Sequence, residues 1–208
     1  MVTTRETSPN AAPAGGRLPA GERRRLIEQA AAQLFAEHGY EMTTVEHISA
    51  AAGVSKPMLY RHFESKRDLC MKLMERRRDE LAAAPLGTFL ETEGSAAARL
   101  AAMIDAWFAH VEEHPHTSRL LFADVTGDEE IRDLQRELRR RQRAADVAMM
   151  REFGPPLPEA ELEPLGEVIR SSLTALALWW LDQPDVPRAV VVSAMLRTMS
   201  GMLGDGQP

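Results

Sequence analysis

Aromatic residues make up only 5% of this 208-residue chain, and it holds a single cysteine, Cys70. One thiol excludes an internal disulfide framework. Cys70 falls on a helical stripe beside Leu69 and Leu73, which predicts a small buried hydrophobe. Period-two alternation is missing too, while Ala, Leu, Met, Glu and Arg are plentiful. That balance disfavours sheet and favours helix. The longest near-apolar runs, LTALALWWL (173–181) and AVVVSAML (189–196), fall well short of the roughly 20 residues needed to span a bilayer. The N-terminus lacks the apolar segment of a secretory signal. A soluble, cytoplasmic chain with no membrane partner is expected.

Catalytic signatures are missing as well. There is no Gly-rich phosphate loop, nucleophile elbow or cysteine cluster. A di-iron bundle needs Glu-x-x-His on two helices; that spacing occurs once, at Glu113/His116, with Pro115 inside it. His110 and His114 share a helix face, but Pro115 breaks the helix before His116 and no third ligand stands nearby in sequence. No enzyme, cofactor or metal is expected.

What is present is asymmetry. The net charge is −6, yet residues 1–80 carry +2 and residues 81–208 carry −8. A basic front on an acidic body suggests a small unit facing an anionic partner and a larger unit with another task.

Residues 1–20 are rich in Pro, Ala, Gly and Thr without periodicity and are predicted to be a disordered tail. Helical spacing then predicts a first helix over about 22–38, with Gly39 as its terminator. Thr43 and Glu46 have capping-box spacing, ahead of a short helix over about 44–52. Gly53 permits a tight turn. Ser55 is placed as an N-cap, with Pro57 in the first turn of a third helix, where its missing N–H costs nothing. Leu59 and Phe63, at i and i+4, point to the core. Ser65 caps a fourth helix, with Asp68 three positions on, running to about Ala84, where Pro85 is expected to end it. Longer helices follow over about 95–113, 117–125, 128–153, 159–182 and 187–203, jointed at Pro115, Gly127, 154–156 and 183–184. The basic run 136–143, interleaved with Asp133, Glu137 and Asp146, reads as a solvated face. The fold class is all-α, about nine helices: an N-terminal helix-turn-helix unit over 21–66, a connecting helix over 67–84, and a larger helical domain over 85–208.

In a helix-turn-helix the second helix enters the DNA major groove, its N-terminal residues at the base edges. Lys56 can donate to guanine; Pro57 and Met58 offer apolar surface to thymine methyls. Thr44, Tyr60, His62 and Lys66 suit phosphate oxygens. The N-terminus of the fourth helix, at 65–67, offers further N–H groups to phosphate. Phe35, Gly39, Tyr40, Thr43, Thr44, Ile48, Ala52, Gly53, Val54, Ser55, Leu59, Tyr60, His62, Phe63 and Lys66 together resemble the TetR family of bacterial transcriptional regulators. Ser49 and Pro57 stand where many members have Ala and Gly. The resemblance implies DNA contacts by Thr43, Thr44, Ser55, Lys56, Pro57, Met58, Tyr60, Arg61, His62 and Lys66. It implies a homodimer on a palindromic double-stranded operator, released by a small-molecule effector. Activation in place of repression stays open.

For the larger unit the resemblance implies pairing of the last two long helices across a two-fold axis. A helix apolar on two sides is buried on two sides. Val168, Ala175, Leu178 and Trp179 form a second stripe on one of these helices, and Val192, Met195 and Met199 a broad face on the other. A dimer interface is expected there, although one chain could also cover both. Met103, Trp107, Phe108, Phe122, Met149, Phe153 and Trp180 could line an apolar effector pocket.

Overall fold

The computed structural model describes residues 19–122 and 128–203. Almost the whole predicted tail, and the end of the helix predicted over 117–125, lie outside the described residues. In chain order the helices are α1 (Ala20–Met42), α2 (Val45–Ala51), α3 (Lys56–Tyr60), α4 (Lys66–Glu91), α5 (Ala96–Glu113), α6 (Pro115–Phe122), α7 (Glu129–Phe153), α8 (Glu159–Leu181) and α9 (Arg188–Leu203). No strand occurs among the described residues. None of the described helices is long and apolar enough to cross a membrane.

Two apolar clusters hold the helices. The first gathers Ile27, Ala31 and Phe35 of α1, Ile48 of α2, Leu59 and Phe63 around α3, and Leu69, Cys70 and Leu73 of α4. It continues into Leu120 of α6 and Ile131 and Leu138 of α7. The N-terminal helices therefore share a core with the larger unit. A five-residue helix cannot persist alone in water. Here α3 is held because Leu59 and Phe63 are buried, each contributing about 1.5–3 kcal/mol. Cys70 is fully buried, and burial pushes its thiol pKa up to about 12. The second cluster joins Ile104, Phe108 and Val111 of α5, Ala177 and Trp180 of α8, and Val191, Val192, Met195 and Met199 of α9.

Polar ties fix the joints. Glu28 on α1 is buried between two guanidinium groups, accepting from Arg24 at 2.9 Å and from Arg76 of α4 at 2.8 Å. The Trp180 indole donates to the Val186 carbonyl at 2.7 Å, closing the turn from α8 to α9. Arg188 at the start of α9 reaches Asp105 on α5 at 3.0 Å.

Three predicted boundaries need correction. Pro85 does not end α4, which runs on to Glu91. Leu81, Pro85 and Phe89 lie one turn apart on the same buried face; Phe89 packs edge-on against Phe153 with ring centroids 5.2 Å apart. Those two further turns offset a proline that costs about 3 kcal/mol in a helix interior. Pro115 opens α6 rather than merely breaking the chain, which suits a residue with no N–H to leave unpaired. Gly39 ends the regular part of α1 with φ of 79°, and three more residues continue beyond the kink.

Candidate nucleic-acid interface

The turn between α2 and α3 is built on Gly53, whose φ of 65° lies in the left-handed region, where a side chain would be strained. Val54 N–H donates to Ser49 O at 3.0 Å, closing the turn. Ser49 is buried and its hydroxyl finds no partner. With Leu59 and Phe63 pinned inward, the remaining faces of α3 turn out. Ser55, Lys56, Pro57, Tyr60 and Arg61 are exposed, Tyr60 by 52%; Met58 and His62 are half-buried. Proline occupies the second helical position, and Ser55 stands at the N-cap without a side-chain bond to the helix.

Lys56 is not free. Its ammonium pairs with the Glu46 carboxylate of α2, and this bond holds the Glu46 pKa low. Glu46 was expected to close a capping box with Thr43. The cap is instead Thr44, whose hydroxyl accepts from His47 N–H at 3.2 Å. Thr44 stays exposed at the start of α2.

Two residues expected at DNA are engaged within the chain. Thr43 is fully buried, and its hydroxyl lies 2.8 Å from Gly39 O and 3.1 Å from Leu34 O. The kink at Gly39 folds Thr43 back under α1, so its side chain cannot reach a phosphate. Lys66 donates to Tyr40 O at 2.8 Å and Thr43 O at 2.9 Å, with its ammonium 4.1 Å from the Tyr40 ring centroid. That cation ties the end of α1 to the start of α4. Its signal was in the sequence: a lysine at the helix start and an aromatic after Gly39, read separately.

The α4 N-terminus is capped by its own side chains. Ser65 Oγ accepts from Asp68 N–H, and Asp68 accepts from Glu64 N–H, both at 3.0 Å. This capping box satisfies the N–H groups of Glu64 and Asp68, not those at 65–67 that were expected to face a phosphate. Arg67 turns to Asp128 and Glu130 on the α7 side, at 3.0 and 3.3 Å. The residues still facing solvent together are Thr44, Ser55, Lys56, Pro57, Tyr60 and Arg61.

The larger unit sorts differently from expectation. Trp107 stacks on Phe122 at 5.6 Å, and Phe108 meets Trp107 at 5.0 Å and Trp180 at 5.8 Å, both edge-on. These four rings are packed on one another. Phe153 belongs elsewhere, against Phe89 with the Arg99 guanidinium 4.2 Å over the Phe89 ring. The aromatic rings among the seven predicted pocket residues therefore fall into two contact groups, Trp107, Phe108, Phe122 and Trp180 in one and Phe153 in the other. A cleft of about 420 Å³ opens between α1 and the α5–α6 joint, lined by Glu28, Gln29, Gln33, Arg77, His114 and His116 among others. None of the seven borders it.

On α8, Val168, Ala175 and Trp179 are exposed, Trp179 by 50%, and Leu178 is half-buried. On α9 the expectation fails: Val192, Met195 and Met199 are buried at 9%, 2% and 5% exposure within this chain's own second cluster. Both long helices have apolar residues on several sides, and periodicity alone cannot say which side a neighbour covers.

Beside the cleft the fold adds a group that sequence spacing did not connect to the histidine pair. His110 on α5 and His114 at its C-cap meet Glu80 of α4, with candidate ligand atoms all within 4.8 Å. Burial lowers both imidazole pKa values; the second histidine adds to this at His110 and Arg77 at His114. The third partner was missed because it sits thirty residues earlier on another helix.

The comparisons with known proteins follow this division. The family model described as "Bacterial regulatory proteins, tetR family" matches residues 27–71. The model described as "Tetracyclin repressor-like, C-terminal domain" matches residues 95–203, more than half of the chain. Among curated proteins, the transcriptional activator FasR of Mycolicibacterium smegmatis is 35% identical over 127 residues. That alignment spans 59% of this chain and 58% of the relative. A Staphylococcus aureus regulator is 40% identical over 63 residues, 30% of this chain and 34% of its own length. Among solved structures, a TetR-family regulator of Streptomyces coelicolor aligns at 27% identity with a TM-score of 0.66, covering 89% of this chain and 82% of that one. The fatty acid degradation regulator FadR of Bacillus halodurans aligns at 18% identity with a TM-score of 0.74, over 92% and 98%. At that identity the likeness concerns the fold.

Proposed function

We infer the function from one premise: this chain belongs to the TetR family of bacterial regulatory proteins. On that premise it is a DNA-binding transcriptional regulator, not an enzyme. The observation that carries the reading is α3 itself. Two buried anchors, Leu59 and Phe63, support a five-residue helix that presents Lys56, Pro57, Tyr60 and Arg61 outward. Lys56 stands at the helix start, where a groove-reading helix meets base edges. Met58 and Pro57 give it an apolar flank, and Tyr60 and Thr44 suit phosphate oxygens on either side.

One such helix reads a half-site, so a palindromic operator calls for two copies. The exposed stripe of Val168, Ala175 and Trp179 on α8, with Leu178 at its edge, supports pairing through that helix. An apolar small molecule inserted among Trp107, Phe108, Phe122 and Trp180 would favour a protomer shape with a different spacing between the α3 helices. The loss of operator affinity equals its differential affinity for the two shapes. Repression by occupying a promoter follows from this scheme. Activation is the second reading, favoured by the name of the 35% identical relative.

The test is fluorescence anisotropy with DNA flanking the protein's own gene, together with sedimentation at the same concentrations. A dimer is expected to bind a palindrome there. Log affinity should fall linearly with log salt, by about 0.9 per phosphate neutralised. No binding at low salt to any flanking segment would overturn the reading.

A further inference from the structure

Glu80 of α4 meets His110 of α5 and His114, the α5 C-cap, which lines the cleft between the N-terminal helices and the α5–α6 joint. The histidine rings stack edge-on with centroids 4.7 Å apart. Their i, i+4 spacing puts both on one helix face, and Glu80 comes from α4 across the contact. Two imidazoles and one carboxylate, with candidate ligand atoms all within 4.8 Å of one another, form a donor set suited to a borderline transition metal rather than to Mg²⁺ or Ca²⁺. Ligands around tetrahedral zinc, at bonds of about 2.0–2.2 Å, lie roughly 3.4 Å apart. Small side-chain rotations close that gap. The three residues are half-buried, and His114 lines the cleft, so an ion has a path in and solvent can fill the fourth position.

Cations of the protein already compensate this carboxylate. Arg77 Nη1 lies 2.5 Å from Glu80 Oε2 and 3.5 Å from His114 Nε2. Its side chain is only 13% exposed, and its Nε is buried with no hydrogen-bond partner. Arg76 also holds Glu80, at 3.0 Å, but it has a second acceptor in Glu28 at 2.8 Å. Glu80 can therefore turn away from Arg76 without stranding it. We propose that Glu80, His110 and His114 bind a divalent transition-metal ion, best matched by Zn²⁺, and that the ion displaces the Arg77 guanidinium from Glu80.

The site is tested on the full chain without an affinity tag, by titration with Co²⁺ and by Zn²⁺ competition. The expected result is one equivalent bound, with the intense visible bands of four- or five-coordinate Co²⁺ and no thiolate charge-transfer band. The His110→Ala/His114→Ala double variant and Glu80→Gln should each weaken Zn²⁺ binding at least about tenfold. Arg77→Gln should tighten it about tenfold, because a resident positive charge is removed from the ion's place. Circular dichroism confirms that each variant is folded. A Zn²⁺ affinity unchanged in the double variant, or a Co²⁺ spectrum that stays that of the hydrated ion, overturns the site. Unchanged or weaker binding by Arg77→Gln overturns the displacement.

Discussion

The helix-turn-helix region and the α8–α9 region differ in how much a side chain's environment constrains its role. Around α3, of the eight positions from Lys56 to Phe63, Leu59 and Phe63 are buried, Lys56, Pro57, Tyr60 and Arg61 exposed, and Met58 and His62 half-buried between them. A helix that short has one supported side, so inward and outward are decided by two anchors. On α8 and α9 apolar residues point in several directions, and neighbours compete to cover them. Val192, Met195 and Met199 found partners within the chain, while Val168 and Trp179 did not. Where a helix has one apolar face, sequence pattern assigns it; where it has two or more, packing assigns it.

The sharpest way to break that comparison is to remove one anchor from each region. Phe63 and Phe108 are among the largest fully buried side chains, one in each apolar cluster. Alanine at either should cost about 3–5 kcal/mol, read as a fall in Tm on the order of 10 °C for a chain this long. The first cluster reaches Leu120 and Leu138, so Phe63→Ala should lower a single cooperative transition. An early, separate melting step of the N-terminal helices would instead mark them as an independent unit.

The all-α fold and the positions of the nine described helices were legible because periodicity and turn residues act locally. Leu59 and Phe63, one turn apart on a short helix, announced the helix-turn-helix without coordinates. Boundaries were less legible wherever a distant contact overruled a local signal, as when Phe89 meeting Phe153 carries α4 past Pro85. Two of the expected site residues are held inside the chain for the same reason. Lys66 and Thr43 read as phosphate ligands because lysine and threonine suit that task; only the fold of α1 at Gly39 shows that both serve its backbone. Glu80 lies thirty residues from His110, and no spacing rule connects a helix to the next antiparallel one.

That correction yields the next prediction. Lys66→Ala removes two charge-assisted hydrogen bonds and the contact with Tyr40. At about 1.5 kcal/mol or more for a bond to a charged group, a loss near 2 kcal/mol of stability is expected. Tyr60→Ala removes an exposed ring and should leave stability within about 0.5 kcal/mol. Its effect belongs in DNA affinity, weakened across sequences of every kind with the salt slope unchanged, because a neutral hydroxyl neutralises no phosphate. Chemical denaturation beside anisotropy separates the two. Equal stability losses would erase the distinction between a cation that holds the scaffold and a ring that faces the groove.

The smallest expected effect concerns the Lys56–Glu46 pair. Both side chains are about half exposed, at 48% and 57%, and an exposed ion pair contributes between roughly 0 and 1 kcal/mol. Glu46→Gln should therefore leave the melting curve almost unmoved. It frees Lys56 before DNA arrives and removes a negative charge that faces phosphate, so DNA affinity should rise a few-fold at low salt, with the gain shrinking as salt screens the charge. Anisotropy at two salt concentrations reads this directly. A fall in affinity confined to particular sequences would mean that Glu46 itself accepts from a base amino group, as a carboxylate does from cytosine N4. In that case the outward face of the motif extends from α3 onto α2, and the pair seen in the free chain is the resting state of two groove-facing side chains.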